Sequence, residues 1–468
     1  MKKFYVTSPI FYPNAQPHMG HAYTALLCDV LKRYHASLGE ESYFLTGTDE
    51  HTEKVVQAAR ALRQEPAAYL ETIVERFKDL YAKLDIDYDQ FIRTSDKDVH
   101  WPGAIKMWNT LLESDDLYKA EYVGLYCVGC EAFKTEKELI DGVCKDHGIA
   151  PEKVVEENWF FRLKKYAPQV EKLIESGELL IVPESRKKEI LSFLRSGVED
   201  VSFSRPKEKM TWGIPVPNDP NQTMYIWVDA LTNYITGLGF GRDEKLMDFW
   251  PGIHILGKDI LRFHTIFWPA MLLSAKLPLP KKIMIHGTII SDGKKMSKSI
   301  GNVISPYELV DRYGKDATRY LLLRHVHPFE DTDITWGKLD EWYTAGLVNG
   351  LGNLASRILK MSETYEVALP DNVHERATEI LDFGFEFQKA MDSIWARIQQ
   401  LDETIQREEP FKKIKTDKET AEGIIQGLVG GLKNISDSLA PFMPETSRTI
   451  IDAIYKNKKP ENLFPRLP

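Results

Sequence analysis

Two histidines three positions apart, His18 and His21, flank Met19 and Gly20 just after an apolar run. A helix beginning there would gather unpaired N–H groups and positive potential at its first turn, which suits an anion such as a phosphate. Gly20 would leave room for a nucleotide to approach. Far along the chain, Ser291-Asp292-Gly293-Lys294-Lys295-Met296-Ser297-Lys298-Ser299 sets lysines in a loop with glycines at both ends. Lys295 and Lys298 would bring mobile positive charge to the same kind of ligand. Taken singly, the first pattern also fits ordinary helix-start histidines, and the second a solvated basic turn. Taken together they fit a clamp on a triphosphate. A third constellation is Cys127-x2-Cys130-x13-Cys144-x2-His147. Three thiolates and an imidazole in two tight pairs satisfy tetrahedral zinc with no position left open for catalysis, so the spacing points to one structural zinc per chain. Three unrelated cysteines are the alternative. Cys28, the fourth, sits in an apolar run and reads as core.

The elements that would carry these residues follow from the hydrophobic pattern. Residues 3–7 read as a buried strand closed near Pro9 and Pro13. Residues 18–38 read as a helix, with Leu27, Val30, Leu31, Tyr34 and Leu38 at helical spacing and Gly39 as its stop. Residues 41–45 give a second strand, completing a parallel α/β unit. The same grammar returns as strand 252–256, helix 258–273 and strand 281–286. After it, Ser305-Pro306-Tyr307-Glu308 matches a capping box with proline at the first helical position. An insertion of roughly a hundred residues holding the cysteine cluster separates the two halves. From about residue 342 strand signals fade, and amphipathic stretches at 347–361, 377–403 and 418–439 predict a helical bundle.

The chain has 468 residues, 43% hydrophobic and 28% charged, as expected of a soluble globular protein of several domains. No apolar stretch is long enough to span a bilayer. The start, Met1-Lys2-Lys3-Phe4-Tyr5-Val6, lacks a secretory signal, so a cytoplasmic location is expected. A formal net charge of -9 excludes a generally basic nucleic-acid binder. Any RNA would have to be held by local patches and by shape.

His18-Met19-Gly20-His21 and Lys295-Met296-Ser297-Lys298-Ser299 resemble the two signatures of the class I aminoacyl-tRNA synthetases. Thr7-Ser8-Pro9-Ile10-Phe11-Tyr12-Pro13-Asn14, Thr46-Gly47-Thr48-Asp49-Glu50-His51 and Tyr225-Ile226-Trp227-Val228-Asp229-Ala230-Leu231-Thr232-Asn233-Tyr234 narrow the resemblance to the methionyl family. That resemblance implies an α/β fold: a Rossmann-type parallel sheet split by a zinc-binding insertion and followed by an all-α bundle. Its divisions would be two catalytic halves at 1–115 and 223–325, the insertion at 116–222, a linking segment at 326–345 and an anticodon-binding domain at 346–468. The implied activity is that of a methionine–tRNA ligase. Such an enzyme activates L-methionine with ATP to methionyl-adenylate and passes it to the 3′ end of tRNA(Met), initiator tRNA included, releasing pyrophosphate and AMP.

By the same resemblance, His18 and His21 would stabilise the phosphates, and Lys295 and Lys298 the charge growing on the leaving group. Mg²⁺ would assist, and Gly20 and Ser297 would complete the ATP site. Asp49 would hold the substrate ammonium, with Ile10, Tyr12, Trp227, Ala230, Tyr234 and His264 around the side chain, aromatic walls suiting a polarizable thioether. Read alone, Trp227 and Tyr234 fit core packing, and His264 a structural helix histidine. His147 in the last zinc position is a variant among the family's several knuckle types. Asn353 and Arg357, four apart on one helix face, match positions that read anticodon bases. Phe411 stands where the family usually has tryptophan after a proline; a buried phenylalanine among surface charge is the alternative. Lys412, Lys413 and Lys415 would form a local basic patch.

The insertion is too short for the hydrolytic editing domain of leucyl, isoleucyl and valyl enzymes. Some relatives continue into a dimer-forming RNA-binding domain, and an end at residues 463–468 predicts a monomer. The competing readings are a cysteinyl enzyme, a smaller-substrate nucleotidyltransferase and a non-catalytic RNA-binding paralogue. The second leaves the helical third of the chain unexplained, and the intact histidines and lysines oppose the third.

Overall fold

Phe4, Tyr5, Val6 and Thr7 are aromatic or β-branched, which favours a pleated strand. In the computed structural model all four are buried within strand β1, Lys3–Phe11. The structure describes residues 1–129, 132–134, 139–146, 148–225, 227–296, 301–367 and 385–467. β1 runs past Pro9, where the sequence places its end. Its pairing with the neighbouring strand joins Val6 to Ile253 and Thr7 to His254, so Pro9 lies beyond those rungs and costs them no hydrogen bond.

The central sheet also contains β2 (Glu41–Thr48), β3 (Gln90–Arg93), β4 (Leu180–Val182), β5 (Ile253–Gly257) and β6 (Lys282–His286). Their order is β3-β2-β1-β5-β6-β4. The β1–β5, β2–β3 and β6–β4 pairs are parallel. The chain thus starts mid-sheet and builds outward in both directions, so β1 and β5 flank a topological switch point. Open parallel sheets bind ligands past the carboxyl ends of their strands at such a point. The edge strand β4 is an addition to the sequence reading: its three residues come from the stretch assigned to the insertion and are too short to give a periodic signal. Within the insertion, Leu117–Cys127 and Glu152–Phe161 form a long antiparallel ladder from Leu117↔Phe161 to Tyr126↔Glu152.

Helix α1, Met19–Ser37, is buried on nearly every face, the polar side chains of Asp29, Lys32 and His35 included. The helix expected over 258–273 is instead three pieces: a 3-10 turn at Lys258–Ile260, a π-helix at Phe263–Phe267 and an α-helix at Trp268–Ser274. Pro269 is the reason. It has no N–H for the carbonyl four residues back, and its ring crowds that carbonyl, so one continuous ladder cannot form. Helix α2, Trp227–Thr236, is wholly buried. The capping box at Ser305 forms as predicted, with Tyr307 N–H donating to Ser305 Oγ at 3.3 Å and Ser305 N–H to Glu308 Oε2 at 3.0 Å.

The C-terminal region is helical: α3 (Asn353–Tyr365), α4 (Phe387–Glu408), α5 (Lys418–Leu439) and α6 (Pro444–Tyr455). α5 has the limits its periodicity predicts. Part of the predicted 377–403 helix, residues 377–384, lies outside the described residues.

The chain divides into two compact units. One comprises residues 1–17, 43–79 and 88–285; the other comprises 18–42, 80–87 and 286–468. Inside the second, Arg319 is fully buried. Its guanidinium bonds Asp29 Oδ2 of α1 at 2.7 Å and the carbonyls of Leu84, Pro441 and Phe442 at 3.1, 2.9 and 2.6 Å. One cation thereby holds the N-terminal helix and the C-terminal helices in a single body. Among the described residues no helix is long and apolar enough to cross a membrane.

Candidate active site

His18 is the N-cap of α1, in extended backbone with φ −120° and ψ 178°. Its Nδ1 accepts the Gly20 N–H at 3.1 Å, and the His18 N–H is accepted by His21 Nδ1 at 3.2 Å. The two imidazoles therefore form a capping box and stack with ring centroids 3.6 Å apart. Both Nδ1 atoms act as acceptors, so each neutral ring carries its proton on Nε2, a donor suited to a phosphate oxygen. Burial and the neighbouring His18 hold the pKa of His21 well below the ordinary value, which keeps it in that neutral form. A Cβ on Gly20 would lie 3.0 Å from the His18 ring. The glycine makes room for its own cap before it makes room for any ligand.

In the same unit, Thr24 Oγ1 lies 2.7 Å from His286 Nε2 at the end of β6, and the Tyr23 ring meets the His286 ring edge-on. β6 leads into a hairpin in which Ile290 pairs with Lys295 and Ser291 with Lys294. Asp292 and Gly293 turn it with φ of 54° and 69°, and Gly293 N–H donates to Asp333 Oδ1 at 3.0 Å. Asn302 Nδ2 donates to Ser291 O at 2.9 Å and ties down the far end of the loop. Lys295 is exposed on this hairpin; Ser297 and Lys298 lie outside the described residues. The histidine turn and the lysine loop thus belong to one unit, joined through the Thr24–His286 pair.

The proposed side-chain pocket falls in the other unit. Trp227, Ala230 and Tyr234 are buried on α2. The Trp227 ring lies flat on Phe263, centroids 3.4 Å apart, with Phe267 edge-on to it. Tyr234 Oη is 2.6 Å from His264 Nε2, and His264 Nδ1 is 2.9 Å from Ile260 O. A carbonyl can only accept, so His264 Nδ1 carries the proton and Nε2 accepts from the phenol. Burial drives the His264 pKa down to about 4, so the ring is neutral. Tyr5 fixes the far side, its hydroxyl donating to Tyr234 O at 2.7 Å. Ile10, on β1, packs against the hydrophobic core of which Trp227, Ala230 and Tyr234 are part. Half-buried Tyr12 has Lys54 Nζ 4.7 Å above its ring. Asp49, directly after β2, is buried, with its N–H bonded to Phe11 O at 3.0 Å. All seven residues expected at the amino-acid site are therefore in one unit.

Sequence reasoning did not find the Phe263 and Phe267 partners of Trp227. It also missed a buried carboxylate, Asp229, between His51 and His100, at 2.7 Å from each. His51 and Asp229 are 178 positions apart, and no local spacing joins them.

Cys127 ends one strand and Cys144 another, and both are buried. Gly148 N–H bonds Cys144 O at 2.7 Å, and Cys144 N–H bonds Ile149 O at 2.9 Å. Gly142 and Gly148 turn the chain with φ of 79° and 63°. Cys130 and His147 lie outside the described residues, among which no cluster of three metal-ligating side chains occurs.

Arg357 and Phe411 line one groove of about 350 Å³, together with Ser356, Lys360, Met361 and Lys459. Arg357 pairs with Asp402 of α4, which also accepts from Gln406 Nε2 at 2.5 Å. Phe411 is 40% exposed, which corrects the alternative of a buried ring. Asn353 is exposed at the start of α3 and is not part of the groove wall. The expected basic patch is largely offset: Lys412 pairs with Glu409 at 2.6 Å and Lys413 with Glu408 at 3.0 Å. Three cationic side chains, Arg357, Lys360 and Lys459, line the groove, although Arg357 is paired with Asp402 and Lys360 lies 3.4 Å from Glu363.

Residues 4–145 and 134–359 match the family model described as tRNA synthetases class I (M). The methionine–tRNA ligase of Caldanaerobacter subterraneus subsp. tengcongensis is 41% identical over 97% of this chain and 74% of its own length. That of Fusobacterium nucleatum is 39% identical over 99% of this chain and 76% of its own. A solved structure of Mycobacterium tuberculosis methionyl-tRNA synthetase in complex with methionyl-adenylate superposes with a TM-score of 0.90 at 33% identity, covering 100% of this chain and 98% of that one.

Proposed function

The chain belongs to the class I methionyl-tRNA synthetases, and from that membership we propose how its residues divide the work of charging a tRNA. It activates methionine with ATP to methionyl-adenylate and transfers the methionyl group to tRNA. Residues 1–115 and 223–325 are the catalytic halves, 116–222 the insertion, of which residues 180–182 return to the edge of the central sheet, 326–345 the link and 346–468 the anticodon-reading part. The tRNA is tRNA(Met), initiator included, and the enzyme works as a cytoplasmic monomer.

In the first step the methionine carboxylate attacks the α-phosphorus of ATP in line, and pyrophosphate leaves. No protein nucleophile is needed; alignment and charge stabilisation carry the rate. His18 and His21 donate from Nε2 to phosphate oxygens. Being neutral, they can follow the oxygens through the reaction without a charge that would trap the substrate complex. Lys295 and Lys298 neutralise the departing pyrophosphate, and Mg²⁺ bound with ATP adds charge neutralisation there. In the second step a terminal ribose hydroxyl of the tRNA takes the acyl group and AMP departs.

The observation that carries the substrate assignment is the uncharged aromatic wall of α2. Trp227 held flat on Phe263 and Tyr234 locked to a neutral His264 offer an apolar, polarizable surface to a thioether. Asp49 takes the ammonium as a charge partner. A structural zinc fits the chemistry of Cys127 and Cys144, both buried, with Cys130 and His147 paired to them by sequence spacing; thiolates and an imidazole are the donor set that zinc prefers. Arg357 and Phe411 read and stack anticodon bases in the 350 Å³ groove, and Asn353, one turn before Arg357 on α3, contacts a base outside the groove wall.

The test is charging of purified tRNA(Met) by a preparation whose metal content is measured on the same sample. Acid-precipitable labelled methionine and one zinc per chain are expected. Charging with cysteine in place of methionine would overturn the substrate assignment, and fully active zinc-free protein that unfolds no more readily would overturn the structural metal.

A further inference from the structure

The pocket helix α2 buries one carboxylate that the chemistry above leaves unused. Asp229 is 1% exposed. Its Oδ2 accepts from His51 Nδ1 and its Oδ1 from His100 Nε2, both at 2.7 Å. His100 Nδ1 lies 2.8 Å from Thr236 Oγ1, at the last residue of the same helix. His51, two residues beyond Asp49, is wedged between Trp101 and Trp212, ring centroids 6.0 and 5.9 Å away. The Trp212 indole N–H donates to the carbonyl of Glu50 at 2.9 Å, so the segment 49–51 is gripped on its backbone as well. Neighbouring Glu50 is spoken for by Thr48, Arg93 and Ser95 and cannot take over. Asp229 joins this segment to the helix that bears Trp227, Ala230 and Tyr234.

We propose that Asp229 is a positioning residue for methionine: through His51 it fixes the ammonium-binding Asp49 in register with the side-chain wall, and through His100 it fixes the wall itself. Burial opposes the charge, but electrostatic attraction to His51 and the hydrogen bonds from both histidines outweigh it and hold the Asp229 carboxyl down to about 2, so it acts as a permanent anion. Both histidines must then present N–H to it, which sets their tautomers. An asparagine in its place keeps the shape but turns one acceptor into a donor, which one of the two rings must refuse or answer by changing tautomer. The inference rests on the reading of Asp49 as the ammonium partner.

The test is methionine-dependent exchange of pyrophosphate into ATP by Asp229→Asn, His51→Ala, His51→Asn and Asp49→Asn. Asp229→Asn and His51→Ala should raise the methionine KM about tenfold, the worth of one charge-assisted hydrogen bond, with kcat and the ATP KM little changed. His51→Asn, which keeps an N–H near the Nδ1 position, should recover most of that loss. Equal losses toward methionine and ATP, a fall in kcat alone, or no recovery in His51→Asn would overturn the inference. If Asp49→Asn raises the methionine KM and Asp229→Asn does not, the inference fails and the ammonium assignment stands. If Asp49→Asn leaves that KM unmoved, the assignment fails and takes the inference with it.

Discussion

His264 shows how burial decides the chemistry of a single side chain. Its pKa in the folded protein is about 4 against an ordinary 6.5. Between those values the unfolded chain binds a proton that the folded chain refuses, so stability falls as pH drops through 6.5 and the penalty is complete below 4. For this one residue it amounts to about 3 kcal/mol. His254 and His21 are shifted in the same direction, again chiefly by burial, and add to it. Denaturant unfolding should therefore give a flat stability from pH 7 to 8 and a steep loss toward pH 4. His264→Gln should shed part of that slope; an unchanged slope would contradict the buried neutral ring. The sequence singled out His18, His21 and His264, because they sit in recognisable stretches. It did not show their tautomers, which depend on backbone atoms such as Ile260 O, nor Asp229, whose partners are set by the packing of distant elements.

Periodicity carries information at the scale of whole elements, and only where neighbours do not intervene. α5 was legible to the residue because an amphipathic stretch of this length has one way to bury its face. The stretch 258–273 was not, since a proline inside it breaks the ladder that the apolar pattern implies. The groove beside α3 belongs to this scale too, because α3, the end of α4 and the short helix Pro410–Lys413 build it together. Stacking a base on an aromatic side chain contributes about 1–3 kcal/mol. Phe411→Ala should raise the KM for tRNA(Met) about tenfold while tRNA-independent pyrophosphate exchange stays as it was. If exchange falls in step with charging, the ring is a packing residue and the groove is no base-reading site.

For the molecule as a whole, composition set the class of protein and the order of the sheet set where ligands can bind. Alternating strand and helix signals in two halves made the parallel sheet legible. The order β3-β2-β1-β5-β6-β4 was not, because it is decided by which strand finds which neighbour across an insertion. With a net charge of -9, an RNA substrate has to be met by local cations, and Arg357, Lys360 and Lys459 line the one groove that carries Phe411 among the described residues. The central claim is that this chain chooses methionine and joins it to AMP. Pyrophosphate exchange into ATP, run with each of the twenty amino acids in turn, tests it most directly. The account predicts exchange that depends on methionine, with the other amino acids near background, and its loss in Lys298→Ala. Exchange driven equally well by cysteine or leucine, or none with methionine, would contradict it.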